Sequence, residues 1–136
     1  MVLYERVLWK ERAISTGPQI LVVDREYLIA MEAERILMDS MACTVRIAMP
    51  HDYAETMEAG RFDVVVVDAG VVEDRGSDAI RRQGRLGAAV IFTTLTNDSM
   101  ERLPEFKGFA SVAKPFVDEE LLSAVAMALR LPELDI

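Results

Sequence analysis

The sequence is poor in the residues that staple, ligate or span. Of its 136 residues, one is cysteine and one is histidine. With Cys43 alone no intrachain disulfide can form, which points to a reducing cytoplasm. Cys43 is expected to pack as a small hydrophobe beside the second strand. His51 alone makes no metal site and reads as a surface residue at a helix start. No apolar run approaches the ~20 residues of a membrane span. Glu5, Arg6, Lys10, Glu11 and Arg12 break up the apolar residues of the N-terminus, which excludes a signal peptide. Positive charge is scarce, with 15 basic residues against 23 acidic ones and a net charge of −8. A chain with this balance lacks the clustered lysines and arginines that bind a nucleic-acid backbone. No Gly-rich loop follows the first apolar run, so a phosphate-cradling nucleotide site has little support.

What the chain does contain is an ordinary globular balance, 51% hydrophobic and 28% charged, which argues against disorder. Its length fits one domain able to bury roughly two thirds of its unfolded surface. Residues 1–18 read as an amphipathic helical extension ending in a Ser15-Thr16-Gly17-Pro18 turn, with Leu3 and Val7, and Tyr4 and Leu8, on one stripe beside Trp9. Residues 19–131 form the main domain, and 132–136 a short tail.

Within that domain strand and helix alternate. Strands are expected over 19–23, 44–48, 62–68, 88–94 and 109–113. Helices are expected over about 26–41 and 50–60, a short one over 77–84, one after Thr96-Asn97-Asp98-Ser99 that Pro104 cuts short, and a last one over about 118–130. The stretch after Asp68 reads as a loop. The eight methionines read as core gap-fillers apart from the initiator, and Arg81, Arg82 and Arg85 as the solvated face of a short helix. Unbroken apolar runs mark strands buried on both faces, hence a parallel α/β sheet with right-handed crossovers and a doubly wound arrangement.

The apolar runs end in polar groups suited to phosphate chemistry. Ile20-Leu21-Val22-Val23 runs into Asp24, and Val64-Val65-Val66-Val67 into Asp68. The fourth strand ends in Thr93-Thr94, and the fifth in Lys114-Pro115-Phe116. In doubly wound sheets the ligand crevice lies at the carboxyl ends of the strands, where the strand order reverses. Two carboxylates, a hydroxyl and an ammonium would converge there. In this order and spacing, with Gly76 after Asp68, the pieces resemble a response-regulator receiver domain of two-component signalling.

The resemblance implies a flavodoxin-like (CheY-like) five-stranded sheet of order 2-1-3-4-5. It implies that Asp68 accepts a phosphoryl group from a phosphohistidine, that Thr94 and Lys114 hold phosphoryl oxygens, and that Pro115 is cis. It implies Mg²⁺ held by Asp24, Asp68 and the Gly70 backbone. It further implies a histidine kinase or histidine phosphotransfer protein upstream, and a downstream protein target reached through the fourth helix, fifth strand and fifth helix.

The departures are specific. Where the family carries a second acid that ligates Mg²⁺, this chain has Arg25, which changes the local charge by two and makes the pocket formally neutral without an ion. A guanidinium cannot build an octahedral oxygen shell at ~2.1 Å, so weak Mg²⁺ binding is expected. Arg25 could pair with Asp68, reach an incoming phosphoryl group or point to solvent. Glu26 belongs to the first turn of the following helix. Ser111 replaces the family's aromatic switch residue, and Phe109 cannot simply take its place. The expected function is a cytoplasmic single-domain response regulator signalling by protein contact. Any activity would be limited to its own aspartyl phosphorylation and dephosphorylation, with no role for nucleic acid or membrane. A phosphorylation-independent pseudo-receiver scaffold and a small flavodoxin-like flavin or nucleotide binder are the alternatives. The N-terminal helix would cover the domain's own surface or mediate a homodimer.

Overall fold

The computed structural model describes residues 17–130 apart from position 97. The helical extension read over the N-terminal residues and the tail at 132–136 lie outside the described residues. Five parallel strands, β1 (Gln19–Val23), β2 (Thr44–Ala48), β3 (Val64–Asp68), β4 (Ala89–Thr94) and β5 (Ala110–Ala113), form one sheet of order β2-β1-β3-β4-β5. Among the described residues five α-helices accompany them: α1 (Tyr27–Ser40), α2 (Tyr53–Ala59), α3 (Ala69–Arg75), α4 (Asp78–Arg85) and α5 (Asp118–Ala128). This is the doubly wound, flavodoxin-like arrangement that the apolar runs imply.

Both faces of the sheet are covered, which is why its central strands lack polar alternation. Ile20, Val22, Val64, Val66, Ile91 and Val112 pack under α1 and α5. Leu21, Val23, Val65, Val67, Val90 and Phe92 face the opposite side, where Tyr53 and Met57 of α2, Val71 and Val72 of α3, and Ile80 of α4 cover them. Val23 stands opposite Val67 in the β1–β3 ladder, so Asp24 and Asp68 follow side by side at the point where the strand order reverses. No helix among the described residues is long and apolar enough to cross a membrane.

Two elements differ from the sequence reading. The stretch after Asp68, read as a loop, is helix α3 and starts directly at Ala69. Asp68 is its N-cap, its carboxylate accepting from the Gly70 N–H at 3.3 Å. A strand residue therefore serves as the helix cap, and no turn sequence separates the two. The expected fourth helix is not α-helical. Two short 3₁₀ turns, Ser99–Arg102 and Pro104–Phe106, span that stretch. Pro104 has no N–H to donate, so an α-helix begun at Ser99 could not continue through it. The face expected for a downstream partner is accordingly built from these turns, β5 and α5.

The methionines also depart from expectation. Met57 is buried, but Met31, Met38 and Met127 are 41%, 52% and 69% exposed, so they are not core filler. Met31 and Met38 lie on the outer side of α1, whose buried residues are Ala30, Ala33, Ile36 and Leu37. Cys43 is half-buried against the α1/α5 layer and His51 is exposed, as expected for both.

Candidate functional site

Asp24, Asp68 and Lys114 meet at the carboxyl ends of β1, β3 and β5. All three are buried, with side chains no more than 4% exposed. Lys114 Nζ donates to Asp24 Oδ2 at 2.9 Å and to Asp68 Oδ1 at 3.3 Å. Asp24 Oδ1 accepts from the Glu26 N–H at 2.9 Å, a local side-chain turn that fixes the carboxylate as the chain enters α1. The Lys114–Pro115 peptide bond is cis, as the resemblance implies. Glu26 is exposed at the N-cap position of α1 and its side chain makes no capping bond.

Arg25 supplies the second cation. Its Nε donates to Asp68 Oδ2 at 2.8 Å. Of the three orientations open to it from the sequence, the one adopted is the pair with Asp68. The Arg25 side chain is 48% exposed, whereas the Asp68 side chain it bonds is 3% exposed. The Asp68 charge, more than any other cause, raises the Arg25 pKa above its usual value, with Asp24 and Asp74 contributing in the same sense. Both Asp68 oxygens are therefore engaged, one by Arg25 and the other by Lys114 and the Gly70 N–H.

The threonines at the end of β4 are buried beside this cluster. Thr93 stands opposite Asp68 and Thr94 opposite Ala113, the residue before Lys114. Neither hydroxyl bonds to Asp24, Asp68 or Lys114, and Thr93 Oγ1 is buried without a partner among the described residues. Ser111 is exposed on β5. Phe109, just before β5, packs its ring 6.0 Å from Phe92 and 5.2 Å from Phe106. That aromatic group ties the 3₁₀ turns to β4. Arg81 of α4 pairs with Glu105 of the second turn, so it belongs to this packing and not to a basic patch.

Outside Arg25 lies a cleft of about 340 Å³. Besides Asp68 its walls carry Glu73, Asp74 and Asp98 against Arg25 and Arg102. Nothing local in the sequence groups these residues, because it is α3 and the first 3₁₀ turn that bring them together. An acid-rich mouth of this kind disfavours the approach of anions.

As a divalent-cation site the arrangement does not fit. Mg²⁺ takes six oxygens in near-ideal octahedral geometry and sheds water reluctantly. Here the carboxylates of Asp24 and Asp68 already bond to two cationic side chains, and one of these, Arg25, stands at the open side of Asp68. No group of three or more His, Cys, Asp or Glu among the described residues is arranged to hold a metal ion.

The fold is that of CheY-like receiver domains. A response regulator receiver protein from Burkholderia phymatum is 26% identical, with 85% of this chain and 98% of that chain covered at a TM-score of 0.65. The chemotaxis response regulator CheY4 of Vibrio cholerae is 19% identical, with 84% and 100% covered at a TM-score of 0.67. A signal receiver domain of two-component signal transduction (histidine kinase) from Clostridium thermocellum is 17% identical, with 85% and 99% covered at 0.68. No family model matches the chain, and no curated protein matches it.

Proposed function

We propose that the chain is a receiver module of two-component signalling that acts by protein contact, with its acceptor position, Asp68, held by Arg25 in a pocket that is neutral without a divalent cation. The observation that carries this reading is the 2.8 Å bond from Arg25 Nε to Asp68 Oδ2. A carboxylate paired on both oxygens is a poor nucleophile, and the acid-rich cleft outside it opposes an anionic phosphodonor. The upstream partner is a histidine kinase or histidine phosphotransfer protein, and the downstream partner is another protein. On this reading the chain is not an enzyme, and neither nucleic acid nor membrane takes part.

A second reading, in which Asp68 is phosphorylated, draws support from Lys114 and the Gly70 N–H on Asp68 Oδ1. Arg25 would then release Oδ2, which would attack phosphorus in line as the bond from phosphorus to the histidine nitrogen breaks. Lys114 would remain to pair with phosphoryl oxygens.

Incubation with acetyl phosphate and MgCl₂ followed by intact-mass spectrometry separates the two. The first reading expects no adduct on the wild type and a Mg²⁺-dependent adduct on Arg25→Asp. A single phosphoryl adduct on the wild type that disappears in Asp68→Asn would replace it with the second.

A further inference from the structure

We infer that Gly70 is a positioning residue that seats the Arg25 guanidinium over the first turn of α3, so that position 70 decides which cation faces Asp68. A Cβ built on Gly70 would lie 2.7 Å from Nη2, 2.8 Å from Cζ and 3.1 Å from Nη1 of Arg25. Three atoms of a planar group at such similar distances place the guanidinium face-on against the glycine. Carbon does not approach at these separations, so any residue with a side chain excludes the guanidinium from its present place.

The backbone offers no other reason for glycine here. Gly17, Gly76, Gly87 and Gly108 have positive φ, whereas Gly70 lies within α3 and does not. Glycine inside a helix is less favourable than alanine. A helical position where the three atoms nearest a built Cβ all belong to the guanidinium of a residue far away in sequence is best explained by that close approach. The seat and the bond act together. Nε is spent on Asp68 Oδ2 while the two terminal nitrogens lie over Gly70, near the charge of Asp74.

Gly70→Ala tests this without endangering the fold, because the displaced group is the end of a flexible, half-exposed side chain. The first readout is solvent exchange of the Arg25 Nε–H in ¹⁵N-labelled protein, its resonance assigned by its loss in Arg25→Ala. In the wild type this proton is expected to be protected, and in Gly70→Ala its exchange should quicken by about tenfold or more, as for a lost charge-assisted bond. The second readout is MgCl₂ binding followed by amide shifts around Asp24 and Asp68. Affinity should rise about tenfold in Gly70→Ala, and the Arg25→Ala/Gly70→Ala double variant should bind no better than Arg25→Ala.

Unchanged Nε–H protection in Gly70→Ala would overturn the inference. So would a gain in Mg²⁺ affinity from Gly70→Ala that persists in the Arg25→Ala background. The Mg²⁺ arm alone rests on the receiver reading proposed above. Lost protection with unchanged Mg²⁺ affinity would therefore refute Arg25 as an occupant of the metal position while upholding the role of Gly70.

Discussion

Replacing Lys114 by methionine should destabilise the protein far more than replacing Arg25 by alanine, although both cations bond to Asp68. The difference follows from burial. Lys114 is 3% exposed and lies between carboxylates that are 4% and 3% exposed. Methionine keeps much of the aliphatic volume and removes only the charge. Asp24 would then keep, among the described residues, a single partner, the Glu26 N–H, and remain a buried charge with no counter-ion beside it. Removing one partner of a buried ion pair typically costs about 3–5 kcal/mol. Arg25 is 48% exposed, so solvent screens its pair, and exposed pairs are worth about 0.2–1 kcal/mol. Asp68 would also retain Lys114 and the Gly70 N–H after that loss.

Urea unfolding at neutral pH, followed by far-UV circular dichroism and analysed at constant m, measures both differences. The expected losses are about 3–5 kcal/mol for Lys114→Met and about 1 kcal/mol or less for Arg25→Ala. Adding Asp24→Asn to Lys114→Met should recover a substantial part of the loss, since the amide oxygen can still accept from Glu26 while the unpaired charge is gone. A cost for Lys114→Met no larger than that for Arg25→Ala would refute this reasoning. So would a double variant no more stable than Lys114→Met.

Other consequences are open to separate measurement. Burial is the main cause that pushes the Tyr53 phenol up to about 12, against an ordinary value of about 10, and its hydroxyl donates to the Gly76 carbonyl at 3.2 Å. Because the folded protein favours the neutral phenol, this stabilisation is whole below about pH 10 and is lost as the pH rises towards 12. Ultraviolet titration should show one late-ionising tyrosine that is absent in Tyr53→Phe, and a late component surviving that change would contradict it. Gln83 is fully buried on α4, and its amide donates to the Met57 and Gly60 carbonyls at 2.7 and 3.0 Å, tying α4 to the end of α2. Gln83→Met should cost about 1–3 kcal/mol in urea unfolding through the carbonyls left unpaired, and a neutral substitution would show that water replaces the amide without loss.

Much of the architecture was legible because its causes are local. Four valines before Asp68 can only suit a strand covered on both faces, and Asp24, Asp68 and Lys114 each lie one step beyond or at the end of such a run. Parallel pairing then brings them together without further information. The helix at Ala69–Arg75 was not legible, because its cap is the last residue of the preceding strand and Gly70 lowers the propensity of its first turn. The 3₁₀ turns were misread because the capping residues at 96–99 promise a helix that Pro104 leaves no room to build.

At the site, the charge change introduced by Arg25 was visible in the sequence, but its partner was not. Whether a guanidinium turns to solvent or to a carboxylate 43 positions away depends on the space above Gly70, a tertiary fact with no local signature. The exposure of Met31 and Met38 has no local signature either. An unbranched apolar side chain reads alike on either side of a helix when the stripe is wide.

Arg25 takes the cation position at Asp68, and calorimetry with MgCl₂ on the wild type and on Arg25→Asp measures whether it does. Little or no heat of binding is expected for the wild type, and clear saturable binding once the carboxylate is introduced. Wild-type binding of ordinary strength, unchanged by Arg25→Asp, would contradict it.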